Sequence, residues 1–261
     1  MLAIADLTLR KIKEPAFLIM LIFAILVGCS SSEIESLDGQ VGSGDFLSQL
    51  VNVERGHQLF TSTVFAFAIT ALIAIFAGAT EIPRDIDSGL IMLLLSKPIK
   101  KSEYLLGKYL GVLAICGLFF VATEATIYIA HLVRSGETYG LGAFARQFYL
   151  FMGIIPIAGL TVMISTFFPD FSAMILASIY LIFSISVSMV PLLVAVLPES
   201  VSGGIEVYLY LFYYLFPNFI FYFQSFKLFG IISIALLLYS VSITVIFLSV
   251  ADLRMRNRDL T

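Results

Sequence analysis

Residues 59–78 read LFTSTVFAFAITALIAIFAG, twenty consecutive positions without a charged side chain. The hydrocarbon core of a bilayer is about 30 Å thick and accepts roughly 20 apolar residues in helical form, so this stretch alone is long enough to cross. Apolar blocks recur at 16–28, 110–130, 148–168, 171–197 and 228–250. The 16–28 block is short and needs its flanks, or local thinning of the bilayer, to span. With 60% hydrophobic and only 13% charged residues, the chain lacks the polar surface of a soluble domain. A transmembrane barrel is excluded by the lack of short alternating strands. The reading is an all-α integral membrane protein with six transmembrane helices. A net charge of −3 without a basic tract argues against a nucleic-acid partner. Cys29 and Cys116 fall at different depths, so no disulfide is expected.

Lys and Arg accumulate in short cytoplasmic loops. With the N-terminus inside, the inner segments carry Arg10, Lys11, Lys13, Arg84, Lys97, Lys100, Lys101, Lys108, Arg254, Arg256 and Arg258, eleven in all. The outer ones carry Arg55, Arg134, Arg146 and Lys227, only four. This bias sets both termini in the cytoplasm. Residues 207–224 are apolar enough for a seventh span, but that would place Arg254, Arg256 and Arg258 outside, and Pro217 interrupts the stretch. It reads as the core of an outer re-entrant hairpin, 198–227, between spans five and six, whose Tyr and Phe residues suit an interface. Residues 1–14 read as an interfacial helix on the inner surface. The box at 26–29 ahead of three serines mimics a lipoprotein cleavage site, but Asp6 and Glu14 are foreign to a signal n-region, so an uncleaved first span is expected.

After the second span comes EIPRDIDSGLIMLLLSKPIKKSEYLLGKYLG, residues 81–111. The span is expected to end near Thr80, before Pro83. Leu90, Leu93 and Leu94 lie in an apolar run too short to cross a bilayer. Arg84, Asp85, Asp87 and Lys97 frame it, with Gly89 at its start and Pro98 at its end. Ser102 is placed as the cap of the next helix, with Glu103 in its first turn. Gly107 and Gly111 permit close helix packing. The segment 81–103 is thus expected to lie in the cytoplasm and hold a short helix that docks into a groove.

Glu81, Asp87-Ser88-Gly89, the run from Leu93 to Ile99 and Tyr104-Leu105-Leu106-Gly107-Lys108 resemble the signature of ABC-2 type permeases of ATP-binding-cassette transporters. They most resemble the subgroup with the permease of nitrous-oxide-reductase maturation. As topology the resemblance covers 1–261 as a single transmembrane domain; as motif it covers 81–111. It implies that residues 84–97 form the coupling helix that meets a separate ATPase, with Arg84, Asp85, Asp87, Gly89, Leu90, Leu93, Leu94 and Lys97 at that contact. The chain has no G-x-x-x-x-G-K-[ST] loop of its own, so ATP and Mg would be bound by the partner subunit and the chain is no enzyme. One six-span chain is half a pathway, so a second copy in a homodimer is expected, surrounded by membrane lipids.

Glu124 is the one acidic residue deep within a span. Tyr128 and His131 follow on the same helical face. An intramembrane carboxylate points to a pathway or gating contact, against the alternative of a structural bond between spans. Cys29, His57 and His131 lack metal-ligand spacing, and no metal site is expected. The functional expectation is the permease subunit of an ATP-driven exporter. One alternative is a mechanotransmission subunit, which would need an added periplasmic partner; an intramembrane enzyme ranks last, because paired catalytic groups within the spans are wanting. The topology makes a direct prediction: a cysteine introduced at Arg256 is labelled by membrane-impermeant maleimide only after the cytoplasmic face is opened. Labelling in intact cells contradicts the six-span reading.

Overall fold

The computed structural model describes residues 57–91, 100–135, 141–188 and 231–257, together with Ile22, Val190, Val207, Tyr208, Leu211, Tyr213 and Tyr222. Within them the regular structure is helical: α1 (His57–Asp87), α2 (Lys101–Ser135), α3 (Leu141–Ser165), α4 (Asp170–Ser188) and α5 (Ile231–Arg256). All five are long and apolar enough to cross a membrane, and they fall on the blocks read as spans two to six. The expected first span, the interfacial helix 1–14 and most of the hairpin 198–227 lie outside the described residues, as do Cys29, Leu93, Leu94 and Lys97.

In lipid every backbone polar group must be satisfied within the segment, which is what a continuous helix does. The hydroxyls along the spans follow the same rule. Thr70 donates to the Ala66 carbonyl at 2.7 Å, Thr123 to Phe119 at 2.8 Å and Thr244 to Ser240 at 2.8 Å. Each folds back four residues onto a carbonyl of its own helix.

α3 and α1 form the centre: 78% and 83% of their span windows are buried, against 22% for α4 and 28% for α5. The outer helices present Phe171, Ile179, Ile182, Leu238, Val245 and Ile246 outward, an apolar surface suited to lipid. α1 and α3 approach closely because position 78 is glycine. A Cβ there would lie 2.1 Å from Thr161 Oγ1 and 2.8 Å from Thr161 Cβ, so only a bare backbone fits. On α2, Gly107 and Gly111 are both buried.

One end of the bundle gathers the charges. Asp87 ends α1 and Lys101 starts α2. A four-residue turn, Thr166 to Pro169, joins α3 to α4. α5 arrives at the same end: Lys101 Nζ donates to the Met255 carbonyl at 2.8 Å, and Arg254 stacks on the Phe167 ring at 5.4 Å. Arg84 reaches Asp170 at the start of α4, 3.4 Å away. Consecutive helices therefore alternate in direction.

Two local readings are corrected. α1 does not end near Thr80 but continues through Pro83 to Asp87. Proline removes only the bond to the Ala79 carbonyl, and buried side chains on the next turn hold the helix in place. The end comes at Gly89, whose φ of +70° and N–H bond to the Ile86 carbonyl at 3.0 Å make a left-handed glycine cap. Ser102 is not the cap of α2, since the Lys100 carbonyl already accepts the Tyr104 N–H at 3.1 Å.

Gly78→Ala is expected to lower the unfolding midpoint in detergent, at a cost of about 1–3 kcal/mol from overpacking. Adding Thr161→Gly should recover part of that loss. A double variant as unstable as the sum of the two singles would show that the α1–α3 contact is not the cause.

Candidate functional site

Two pairs of polar residues stand at helical spacing either side of segment 88–100. Glu81 and Asp85 are four apart on α1; Tyr104 and Lys108 are four apart on α2. Residues at i and i+4 share a face, and these two faces meet. Lys108 Nζ lies 2.8 Å from Glu81 Oε2 and 2.8 Å from Asp85 Oδ2. Tyr104 donates its hydroxyl to Asp85 Oδ2 at 2.7 Å. The Lys108 side chain is 2% exposed and that of Glu81 1%, so one ammonium bridges two carboxylates out of water.

A buried charge is tolerated only when paired and hydrogen-bonded. Here the ammonium has two acceptors, and Asp85 gains a second partner in Tyr104. Ile82, Ile91 and Leu105 are fully buried beside these groups in sequence, and their apolar packing keeps water away. The arrangement is a rigid clasp between α1 and α2, not a reactive centre.

The residues singled out by sequence divide into three groups. Asp85 is buried in the clasp and does not rim an exposed surface, because its spacing from Glu81 turns it toward α2. Arg84 and Asp87 lie on the other side of the helix and are exposed, with Arg84 paired to Asp170. Gly89 supplies the cap, and Leu90 is half-buried. Glu81 and Lys108 belong to the 81–111 motif but not to the residues expected at the ATPase contact. The signal that finds them is the pair of i, i+4 spacings, one acidic and one basic.

Glu124 sits on α2 far from the clasp, 6% exposed. Neither of its carboxylate oxygens has a hydrogen-bond partner among the described residues. It lines a pocket of about 480 Å³ together with Phe120, Tyr128, Phe148 and Phe151. His131, half-buried two turns beyond Glu124, is not among the residues lining it. Among the described residues no group of three or more His, Cys, Asp or Glu side chains is placed to hold a metal ion.

Five long apolar helices, two of them joined by a buried ionic clasp, mark a multi-pass membrane protein. The family model for the ABC-2 family transporter protein matches residues 15–260, so this chain belongs to the ABC-2 transporter family. It is a membrane subunit for transport rather than a catalyst. No curated protein matches the chain.

The clasp predicts an asymmetric response. Lys108→Met strands two buried carboxylates and should cost about 3–5 kcal/mol, read as a large drop in the unfolding midpoint. Tyr104→Phe should cost less, about 1.5–3 kcal/mol for a hydrogen bond to a charged group. Adding Glu81→Gln and Asp85→Asn to Lys108→Met should restore much of the stability, since a fully neutral cluster leaves no charge unpaired. A triple variant no more stable than Lys108→Met would refute the electrostatic account.

Proposed function

We propose that the chain is the transmembrane subunit of an ATP-driven exporter, in which a separate ATPase acts on residues 88–100 and the clasp carries that motion into the spans. The observation that carries this reading is the position of the clasp. Its two halves lie directly before and after the segment, so a push on the segment cannot be absorbed by α1 sliding against α2. The pair moves as a unit, and the Arg84–Asp170 and Lys101–Met255 contacts pass the displacement to α4 and α5. ATP-driven closure of the partner then biases the bundle between two states. ATP and Mg reside on that partner.

Six spans with both termini in the cytoplasm, in a bacterial or archaeal inner membrane, complete the proposal. The gathering of Arg84, Lys100, Lys101, Arg254 and Arg256 at one end of the bundle supports that end as cytoplasmic. α4 leaves this end and α5 returns to it, so residues 189–230 start and finish on the far side; this favours a hairpin that does not cross. Tyr222 supports a re-entrant path. It is 1% exposed and bonds Ser240 at 2.5 Å, nine residues into α5. Two copies of the permease, each with its ATPase, form the working unit. The resemblance of 81–111 to the nitrous-oxide-reductase maturation permease makes that subgroup the first place to seek the partner. The pocket at Glu124 favours substrate handling over a purely mechanical role.

Leu93→Asp tests the docking role directly, because a charge buried at the centre of the contact has no counterpart. The variant should insert normally yet fail to co-purify its ATPase and lose coupled hydrolysis. Full complex formation with full coupled activity would exclude segment 88–100 as the docking element.

A further inference from the structure

We infer that the Glu124 pocket binds an amphiphilic cation: an ammonium or related positive group on an apolar body, with the carboxylate as its counter-ion. The inference rests on the reading of the chain as a transport subunit only in so far as the bound cation is the substrate.

The pocket is made for an apolar body. Its volume of about 480 Å³ falls within the range of sites for drug-sized ligands, about 300–1,000 Å³. Gly117 on the floor leaves room beside Phe151, whose ring lies 3.5 Å from where a Cβ would stand. Phe120 and Phe151 meet at 5.5 Å with their rings tilted by 46°. Val121, Ile129 and Phe148 form an exposed rim, which gives entry from the side of the bundle.

The carboxylate fixes the polarity of the ligand. The buried hydroxyls of Thr123 on the same helix and of Thr70, Thr161 and Thr244 on its neighbours are each bonded to a backbone carbonyl. Asp170 and Asp252, which each have one buried unbonded oxygen, pair through the other with Arg84 and Arg256. Glu124 differs: both oxygens are open. Lys108 lies sixteen residues back on the same helix, about 24 Å at 1.5 Å per residue, and is already held by two carboxylates. A carboxylate is acceptor-only when ionised, and isolation in an apolar site is costly. A ligand bringing a positive group relieves that cost, and the aromatic faces of Phe120, Phe148, Phe151 and Tyr128 add cation–π attraction. A neutral apolar ligand would leave both carboxyl oxygens without a partner.

The same positive group can come from a free lipophilic cation or from the amine of a phosphatidylethanolamine headgroup. Equilibrium binding of radiolabelled tetraphenylphosphonium to the permease–ATPase complex in nanodiscs separates these and needs no ATP. The wild-type complex should bind the cation. Glu124→Gln should weaken binding at least tenfold while ATPase co-purification stays unchanged. Ala125→Phe, which fills the pocket without touching the carboxylate, should also weaken it. Competition in phosphatidylethanolamine nanodiscs but not in phosphatidylglycerol nanodiscs identifies the lipid amine as the occupant; equal binding in both identifies a free cation. Glu124→Gln binding as tightly as the wild type overturns the inference. So does spontaneous disulfide cross-linking between two copies carrying Val121→Cys, which would mean that a second copy fills the pocket. A wild-type complex that shows coupled hydrolysis yet binds no tetraphenylphosphonium sinks this inference alone, whereas failure to assemble with any ATPase sinks the transport reading.

Discussion

One ammonium shared between two carboxylates orders the charged end of this bundle. Lys108 holds Glu81 and Asp85 at 2.8 Å each, and all three are removed from water. Such a cluster contributes little net stability compared with apolar packing of the same volume, but it is severe toward any arrangement that separates its members. It therefore acts as a specificity device. α1 and α2 have one relative register in which the charges are paired, and sliding either helix by a turn leaves a bare charge in an apolar core. Tyr104 tightens the choice, because its hydroxyl finds Asp85 only in that register.

The rest of the bundle follows from this fixed pair. α3 packs against α1 where Gly78 allows the backbones to close, and α4 is tethered through Arg84 and Asp170. α5 is held at its C-terminus, where Lys101 caps the Met255 carbonyl, a favourable place for a cation at the end of a helix. The far half of the bundle is looser in chemistry. It holds the open Glu124 pocket and the buried Tyr222. An ABC-2 transport subunit benefits from this division, with stiffness near the segment between α1 and α2 and adaptability deeper in the spans.

Much of this was legible in the sequence. The apolar blocks from 59 onward are the five helices, because length and lack of charge leave a chain in lipid few choices. Glu124 was identifiable as exceptional for the same reason. The extent of α1 was not legible, since Pro83 normally marks a stop. Whether a helix survives a proline depends on what holds the following turn, and here that is a contact with Lys108, twenty-five residues later. Asp85 was misread in consequence. Taken alone, the cluster Arg84, Asp85, Asp87 looks like a solvated rim, and only the phase set by Glu81 on a continuing helix turns Asp85 inward while leaving Arg84 and Asp87 outside. Tertiary pairing between distant i, i+4 pairs is the information that a local reading of charge lacks.

The central claim is that α1 and α2 move as one body when ATP is hydrolysed. Spin labels at the exposed positions Asp87 and Leu106, on the two sides of the clasp, report it in the permease–ATPase complex. The distance distribution measured by pulsed electron resonance should be the same in the nucleotide-free and vanadate-trapped states, while a pair from Leu106 to the exposed Leu238, at the other end of α5, shifts. A change in the Asp87–Leu106 distance between those states, with the clasp residues intact, would contradict the account.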